Sequence, residues 1–312
     1  MHSSLLRPAA LTAAALLALT ACSDDGGGET GAAGAGGEDT GLLIVAPTDV
    51  YADLAQQVVG DSAEVEALVD SPAIDPHSYE ASPQDRLLVE EADVVLANGG
   101  GYDSYMNQLA DSAGIGEDVY QVIEGEKEHS HDWDGEYANE HIWYDLQLMS
   151  EFALEFSEHM TELAPDNAEA YEENVQALSE EIDGLLERTR QIDAEGLSYF
   201  ATEPVSQFLL LDAGFEDLTE EEFLNAVEHG EDVPARLYQD SLNLVTEGKA
   251  DMLVYNPQTE TQQSQHIREA AEDAGLPVLE FSETFPDDVD DFLIWMDENI
   301  SQVEETVEEL RG

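Results

Sequence analysis

Residues 166–190 read DNAEAYEENVQALSEEIDGLLERTR. Tyr171, Val175, Leu178, Ile182 and Leu185 step by 4, 3, 4 and 3, the spacing of one apolar stripe on an α-helix. With Pro165 just before it, the stretch predicts a helix of about 24 residues, roughly 36 Å long at 1.5 Å per residue. From Asp145 to about Gln191 the pattern is almost wholly helical, broken at Ala164-Pro165. A coiled-coil partner would need three or more heptads, and the stripe is shorter than that, so it points to packing within the chain. The regions on either side differ from it and resemble each other.

Before it, short apolar runs alternate with helical segments. Leu42–Ala46 reads as a buried strand, Thr48–Val59 as a helix with Val50, Leu54 and Val58 at i, i+4 and i+8, and Glu64–Val69 as a second strand. Ser82-Pro83-Gln84-Asp85 places a cap residue, a proline and an acid where a helix begins. That helix runs to about Glu91, and Asp93–Ala97 is the next strand. Asn98-Gly99-Gly100-Gly101 is a strand-to-helix turn. A phosphate cradle is its sharper reading, but no P-loop lysine follows and the acidic surroundings disfavour phosphate. After the long helix the alternation restarts. Leu197–Ala201, Met252–Tyr255 and Pro277–Phe281 read as strands; a helix follows Ala201 through Leu211, Ser264–Ala274 is helical, and Asp291–Leu310 is a closing helix. The expected fold class is α/β: two βα lobes with mainly parallel sheets, joined by one long helix, with a site in the cleft between them. The expected divisions are a lipoprotein signal peptide at 1–21, a lipidated cysteine and flexible acidic, glycine-rich tether at 22–40, an N-terminal lobe at 41–147, linking helices at 148–192 and a C-terminal lobe at 193–312.

The N-terminus gives the compartment. Arg7 precedes an apolar run, Ala9–Leu19, too short to span a membrane. It ends in Leu19-Thr20-Ala21-Cys22, which resembles the lipobox of bacterial lipoproteins, where the cysteine carries the lipid; Cys22 is the chain's one cysteine. A mature protein starting there has no disulfide and no cysteine ligand. Residues 23–40, SDDGGGETGAAGAGGEDT, have nothing to pack and predict a tether reaching roughly 20–25 Å. The chain carries 72 Asp and Glu against 9 Lys and Arg, a formal charge of −63. Nucleic acid is thereby excluded as a partner, since phosphates would be repelled. With 42% apolar residues in periodic blocks, the acid excess reads as surface solvation in a salty exterior rather than disorder.

Four polar islands carry the chemistry. Asp75-Pro76-His77-Ser78-Tyr79-Glu80 follows the second strand, and Asn139-Glu140-His141-Ile142-Trp143-Tyr144-Asp145 precedes the long helical section. Phe200-Ala201-Thr202-Glu203-Pro204-Val205 and Phe281-Ser282-Glu283-Thr284-Phe285-Pro286 each put an acid at the exit of a buried strand, costly unless paired or metal-bound. All four fall where ligands collect in α/β folds, at loops and element ends. Two imidazoles and two carboxylates suit a borderline divalent cation.

Together DPHSYE, NEHIWYD and the order lipobox, lobe, long helix, lobe resemble the zinc/manganese solute-binding lipoproteins of ABC importers, of the cluster A-I type. The resemblance covers the chain from about Leu42 to the end. It implies His77 and His141 as the first two metal ligands, Glu203 in the place of a third that is His or Glu, and Glu283 where the family commonly has Asp. It further implies Zn²⁺, or alternatively Mn²⁺, as cargo, an ABC permease and its ATPase as partners, a lipid anchor on the outer face of the bacterial cell membrane, and a monomer. The chain lacks H-E-x-x-H and G-x-S-x-G, and a cation held by four protein ligands has no open position for water, so no enzymatic role is expected. Two other readings remain: a carrier specific for manganese, and a surface adhesin with a structural metal, a role credited to some family members. Residues 126–145, EKEHSHDWDGEYANEHIWYD, then divide. His141 belongs to the ligand set, while His129 and His131 are an accessory pair that, by resemblance to the family's longer His-rich loops, collects metal weakly and passes it inward. His159, His229 and His266 read as surface residues, and Trp143 and Tyr144 as packing beneath the site.

Overall fold

The computed structural model of the chain describes residues 41–116, 119–123, 139–228 and 230–312. The expectations for Cys22, the tether, His129, His131 and His229 lie outside these residues. In the first half, strands β1 (Leu42–Thr48), β2 (Ala63–Val69), β3 (Val94–Gly99) and β4 (Val119–Ile123) pair in the order β2-β1-β3-β4, every pair parallel. Helices α1 (Asp49–Val59), α2 (Pro83–Glu91) and α3 (Ser104–Ala113) lie between them in the chain. Val50, Leu54 and Val58 of α1 are fully buried, as their spacing requires. The expected start of α2 is a capping box: Ser82 Oγ accepts the Gln84 and Asp85 N–H groups, and Asp85 accepts the Ser82 N–H at 2.5 Å. Strand β4 was not anticipated. Its short run, Val-Tyr-Gln-Val-Ile, is only half buried, and pairing with β3 rather than its own pattern makes it a strand.

Helix α4 (Leu146–Leu163) ends at the proline turn, and α5 (Ala168–Arg190, 23 residues) packs along it. Tyr171, Val175, Leu178 and Ile182 are buried as expected, but the stripe ends on Leu186, with Leu185 only half buried. At about 100° per residue, Leu185 and Leu186 flank the line through Ile182 on opposite sides, and Leu186 falls nearer to it.

The second half holds β5 (Ser198–Ala201), α6 (Gln207–Asp212), β6 (Glu216–Asp217), α7 (Glu221–Glu228), α8 (Ala235–Thr246), β7 (Met252–Tyr255), α9 (Gln262–Ala274), β8 (Val278–Glu280) and α10 (Phe292–Arg311). Its sheet, again parallel, runs β6-β5-β7-β8. The two-residue β6 and the helices α7 and α8 add to the sequence reading. Helix α10 returns to α5 and α1: Arg188 of α5 grips Glu304 through two bonds of 2.9 and 2.7 Å, donates to Ser301 at 2.8 Å and also pairs with Asp297. One apolar cluster consequently draws on both lobes, from Val50 and Phe152 through Tyr171 and Ile182 to Tyr199, Phe281 and Trp295. Long helix and sheets share a core.

Candidate metal centre

His77 stands in the loop after β2, where Asp75 Oδ1 accepts its backbone N–H at 2.9 Å and closes a local turn. His141 lies just before a short 3₁₀ turn leading into α4, and Glu203 and Glu283 follow β5 and β8. The fold brings all four together. One ligand atom of each lies within 4.8 Å of the others, a group that could hold a metal ion. His77 Nε2 is 3.3 Å from His141 Nε2, 3.3 Å from Glu283 Oε2 and 3.5 Å from Glu203 Oε1, and His141 Nε2 is 4.0 Å from Glu283 Oε2. His141 and Glu283 are fully buried and Glu203 nearly so. A cavity of about 440 Å³ reaches His77 and Glu203 from outside, and Asp75, Glu231, Asp232 and Glu260 line it.

Each imidazole is held from its far nitrogen. His141 Nδ1 donates to Asn139 Oδ1 at 2.8 Å, and that oxygen also accepts the His141 N–H at 3.0 Å. Asn139 in turn donates to the Pro204 carbonyl at 2.9 Å and to Gln207 at 3.0 Å, tying His141 to the segment carrying Glu203. His77 Nδ1 faces Glu140 Oε1 at 3.2 Å. Both rings therefore turn Nε2 inward, the orientation a ligand histidine needs. Burial pushes His141 down to about 3, so it stays neutral. On His77 burial also opposes charge, but Glu283, Glu140 and Glu203 more than offset it and hold the ring up to about 12. Glu283 is held below the usual carboxylate range: His77 and His141 nearby and the Tyr102 hydroxyl outweigh its burial. A metal binds only neutral imidazole; His141 is already in that form, and on His77 the proton balances the carboxylates.

Other parts of the site were not legible in the sequence. Tyr102 donates to Glu283 Oε2 at 2.9 Å and meets the His77 ring edge-on. It is placed by the glycine turn after β3. Gly99 has φ +84°, and a Cβ there would come within 2.4 Å of the Ile123 carbonyl. The turn's amides are occupied by a carboxylate: Asp103 accepts the Asn98 N–H at 2.5 Å and the Gly99 N–H at 3.1 Å, which removes the phosphate reading. Asn256, Gln258 and Thr259, leaving β7, contact both glutamates. Their signal was available, since Asn256-Pro257 at the exit of a buried strand repeats the form of Glu203-Pro204. Trp143 and Tyr144 pack beneath the site as expected, with Trp143 5.2 Å from the His141 ring. His266 is exposed, as expected, and bonds Tyr238. His159 corrects the surface reading. It is half buried against Tyr120 and Phe156, and burial lowers its pKa, because the unanticipated β4 brings Tyr120 over α4.

Two aspartates of α1 hold the chain beyond Glu283. Asp49 accepts the Phe285 N–H at 3.1 Å and Asp53 the Phe292 N–H at 2.8 Å. Burial pushes Asp49 up to about 7 against the opposing Phe285 and Val50 bonds, and pushes Asp53 up to about 6. A carboxyl raised in the folded state favours folding fully at pH below about 4, and that contribution is lost as pH rises through 7. Asp49→Asn keeps an acceptor for Phe285 and removes the charge. It is expected to melt above the parent at pH 8, by up to about 4 kcal/mol at roughly 1.4 per pK unit, and to match it near pH 4. Thermal melts across pH 4–8 check this; a pH-independent difference would contradict it.

Residues 44–306 match the family model described as zinc-uptake complex component A, periplasmic (ZnuA). The chain belongs to that family. Among curated relatives, the manganese ABC transporter substrate-binding lipoprotein PsaA of Streptococcus mitis is 28% identical over 152 residues, 46% of this chain and 49% of PsaA. The manganese-binding lipoprotein MntA of Bacillus subtilis is 26% identical over 179 residues, 57% of this chain and 56% of MntA. The chain thus spans about half the length of the curated relatives it matches. A structure described as the periplasmic zinc binding protein TroA from Treponema pallidum superposes with a TM-score of 0.71 over 85% of this chain and 99% of that one, at 17% identity. That likeness is one of fold. This ZnuA-family chain has the two parallel-sheet lobes and the long helix that its sequence predicts.

Proposed function

We propose that the protein is a lipid-anchored, extracytoplasmic solute-binding protein that captures Zn²⁺, with Mn²⁺ as the alternative cargo, and delivers it to an ABC permease driven by its ATPase. One observation carries the reading: His77, His141, Glu203 and Glu283, scattered along the sequence, converge from loops of both lobes within 4.8 Å. In this reading the two Nε2 atoms and one oxygen of each glutamate are the ligands, between an N-terminal lobe at 41–147 and a C-terminal lobe at 193–312 bridged by the helices of 148–192. Cys22 is the lipidated residue, and no helix among the described residues is long and apolar enough to cross a membrane. The acidic cavity wall draws cations toward His77. The names of PsaA and MntA support manganese, and that of TroA supports zinc. Four protein ligands leave no position for an activated water, so the role is carriage without turnover, by a monomer and without nucleic acid.

His129 and His131 serve as an accessory collecting pair in this reading. Metal analysis and calorimetric titration of the mature protein test it. The parent is expected to bind one zinc ion tightly, and Glu203→Ala is expected to weaken binding more than His129→Ala and His131→Ala together. Equal losses would place the pair in the primary site, and a parent that binds neither metal would end the proposal.

A further inference from the structure

We propose that Asn256 sets the metal preference of this site by restricting each ligand glutamate to a single inward oxygen. The inference rests on the cation-binding reading above. Asn256 is 2% exposed. Its Nδ2 donates to Glu203 Oε2 at 2.6 Å and to Glu283 Oε1 at 2.7 Å, so one amide spends both hydrogens on the two carboxylates. The orientation is decided by the other end of the same amide. Oδ1 accepts the Gln258 N–H at 2.9 Å; a flipped amide would set NH₂ against that N–H and turn its oxygen on two carboxylates. Thr259 adds its hydroxyl to Glu203 Oε2. Gln258 fixes the backbone of the second glutamate, its Oε1 accepting the Glu283 N–H at 2.5 Å.

The oxygens Asn256 holds are the outward ones. Glu203 Oε1 and Glu283 Oε2 are those facing His77 Nε2, at 3.5 and 3.3 Å. Rotating either carboxylate to present both oxygens would break a buried, charge-assisted bond to Asn256 and leave its N–H unsatisfied. Two imidazole nitrogens and two single oxygens make a four-ligand set, the number zinc takes in closed protein sites. Manganese, which favours six mostly oxygen ligands, gains from carboxylates that bind through both oxygens. Holding the glutamates to one oxygen each thus favours zinc.

The test compares parent, Asn256→Ala and Thr259→Val by zinc and manganese titration, with X-ray absorption at the zinc edge for coordination number. The parent is expected to show four ligands. Asn256→Ala is expected to raise that number to five or six and to lower the zinc-to-manganese affinity ratio about 10–100-fold, the range for partners of metal ligands. Thr259→Val, which removes one bond to Glu203, should shift the ratio in the same direction by less. A ratio within twofold of the parent and an unchanged coordination number in a folded Asn256→Ala would overturn the proposal. Should that variant not fold, an unchanged ratio in Thr259→Val overturns it. A parent that binds neither metal would overturn the carrier reading itself, a separate result.

Discussion

His141→Ala is expected to lower zinc affinity by at least about 100-fold. Closed zinc sites with four ligands have apparent binding free energies of roughly 10–16 kcal/mol, about 3 per ligand, and 2.7 kcal/mol is already a factor of about 100. His141 shows the effect well because the backbone bond that places it survives loss of the ring. It is neutral and fully buried, and Asn139 Oδ1 keeps the backbone N–H of residue 141 after the imidazole is gone. The metal-free variant should fold, with its ellipticity and melting cooperativity those of the parent. Competition against a chromophoric zinc chelator gives the affinity. A value within threefold of the parent would remove His141 from the ligand set.

The second large effect is on stability. Glu203 and Glu283 are buried close together, bridged by Asn256 and facing His77, and a divalent cation neutralises that pair of charges. A ligand that binds only the folded state, at 1,000 times its dissociation constant, stabilises by about 4 kcal/mol. At roughly 2–4 °C per kcal/mol for chains near this size, zinc should raise the melting temperature by about 8–15 °C. A chelator should reverse the shift, and Glu203→Ala should abolish most of it. A melting curve that zinc leaves within 1 °C would count against a buried site spanning both lobes.

Local cues marked each candidate ligand in the sequence, a histidine beside a stiffening proline or in an island before a helical run, an acid at the exit of a buried strand, and the family resemblance was needed to single them out as a set. The long-helix stripe and the capping box at Ser82 were legible for the same reason, being set by residues a few positions apart. Tertiary placement was not legible. Nothing near Tyr102 in sequence announces Glu283, 181 positions away, and Glu140 reads as one acid among many until His77 folds against it. Strand β4 and the half-buried His159 escaped together, since one creates the environment of the other.

Helix α10 closes against α1 and α5, both far before it in the chain. A chain emerging N-terminus first therefore exposes its first lobe without the partners of Asp49, Asp53 and Trp143's apolar cluster until Phe285, Phe292 and Trp295 have been made. His77 and His141 are made early, and Glu203 and Glu283 follow long after both. Contacts so distant along the chain form late and slowly. A chain made only as far as its first lobe consequently has the two histidines without the two glutamates, and the four-residue cluster cannot assemble before Glu283 is made.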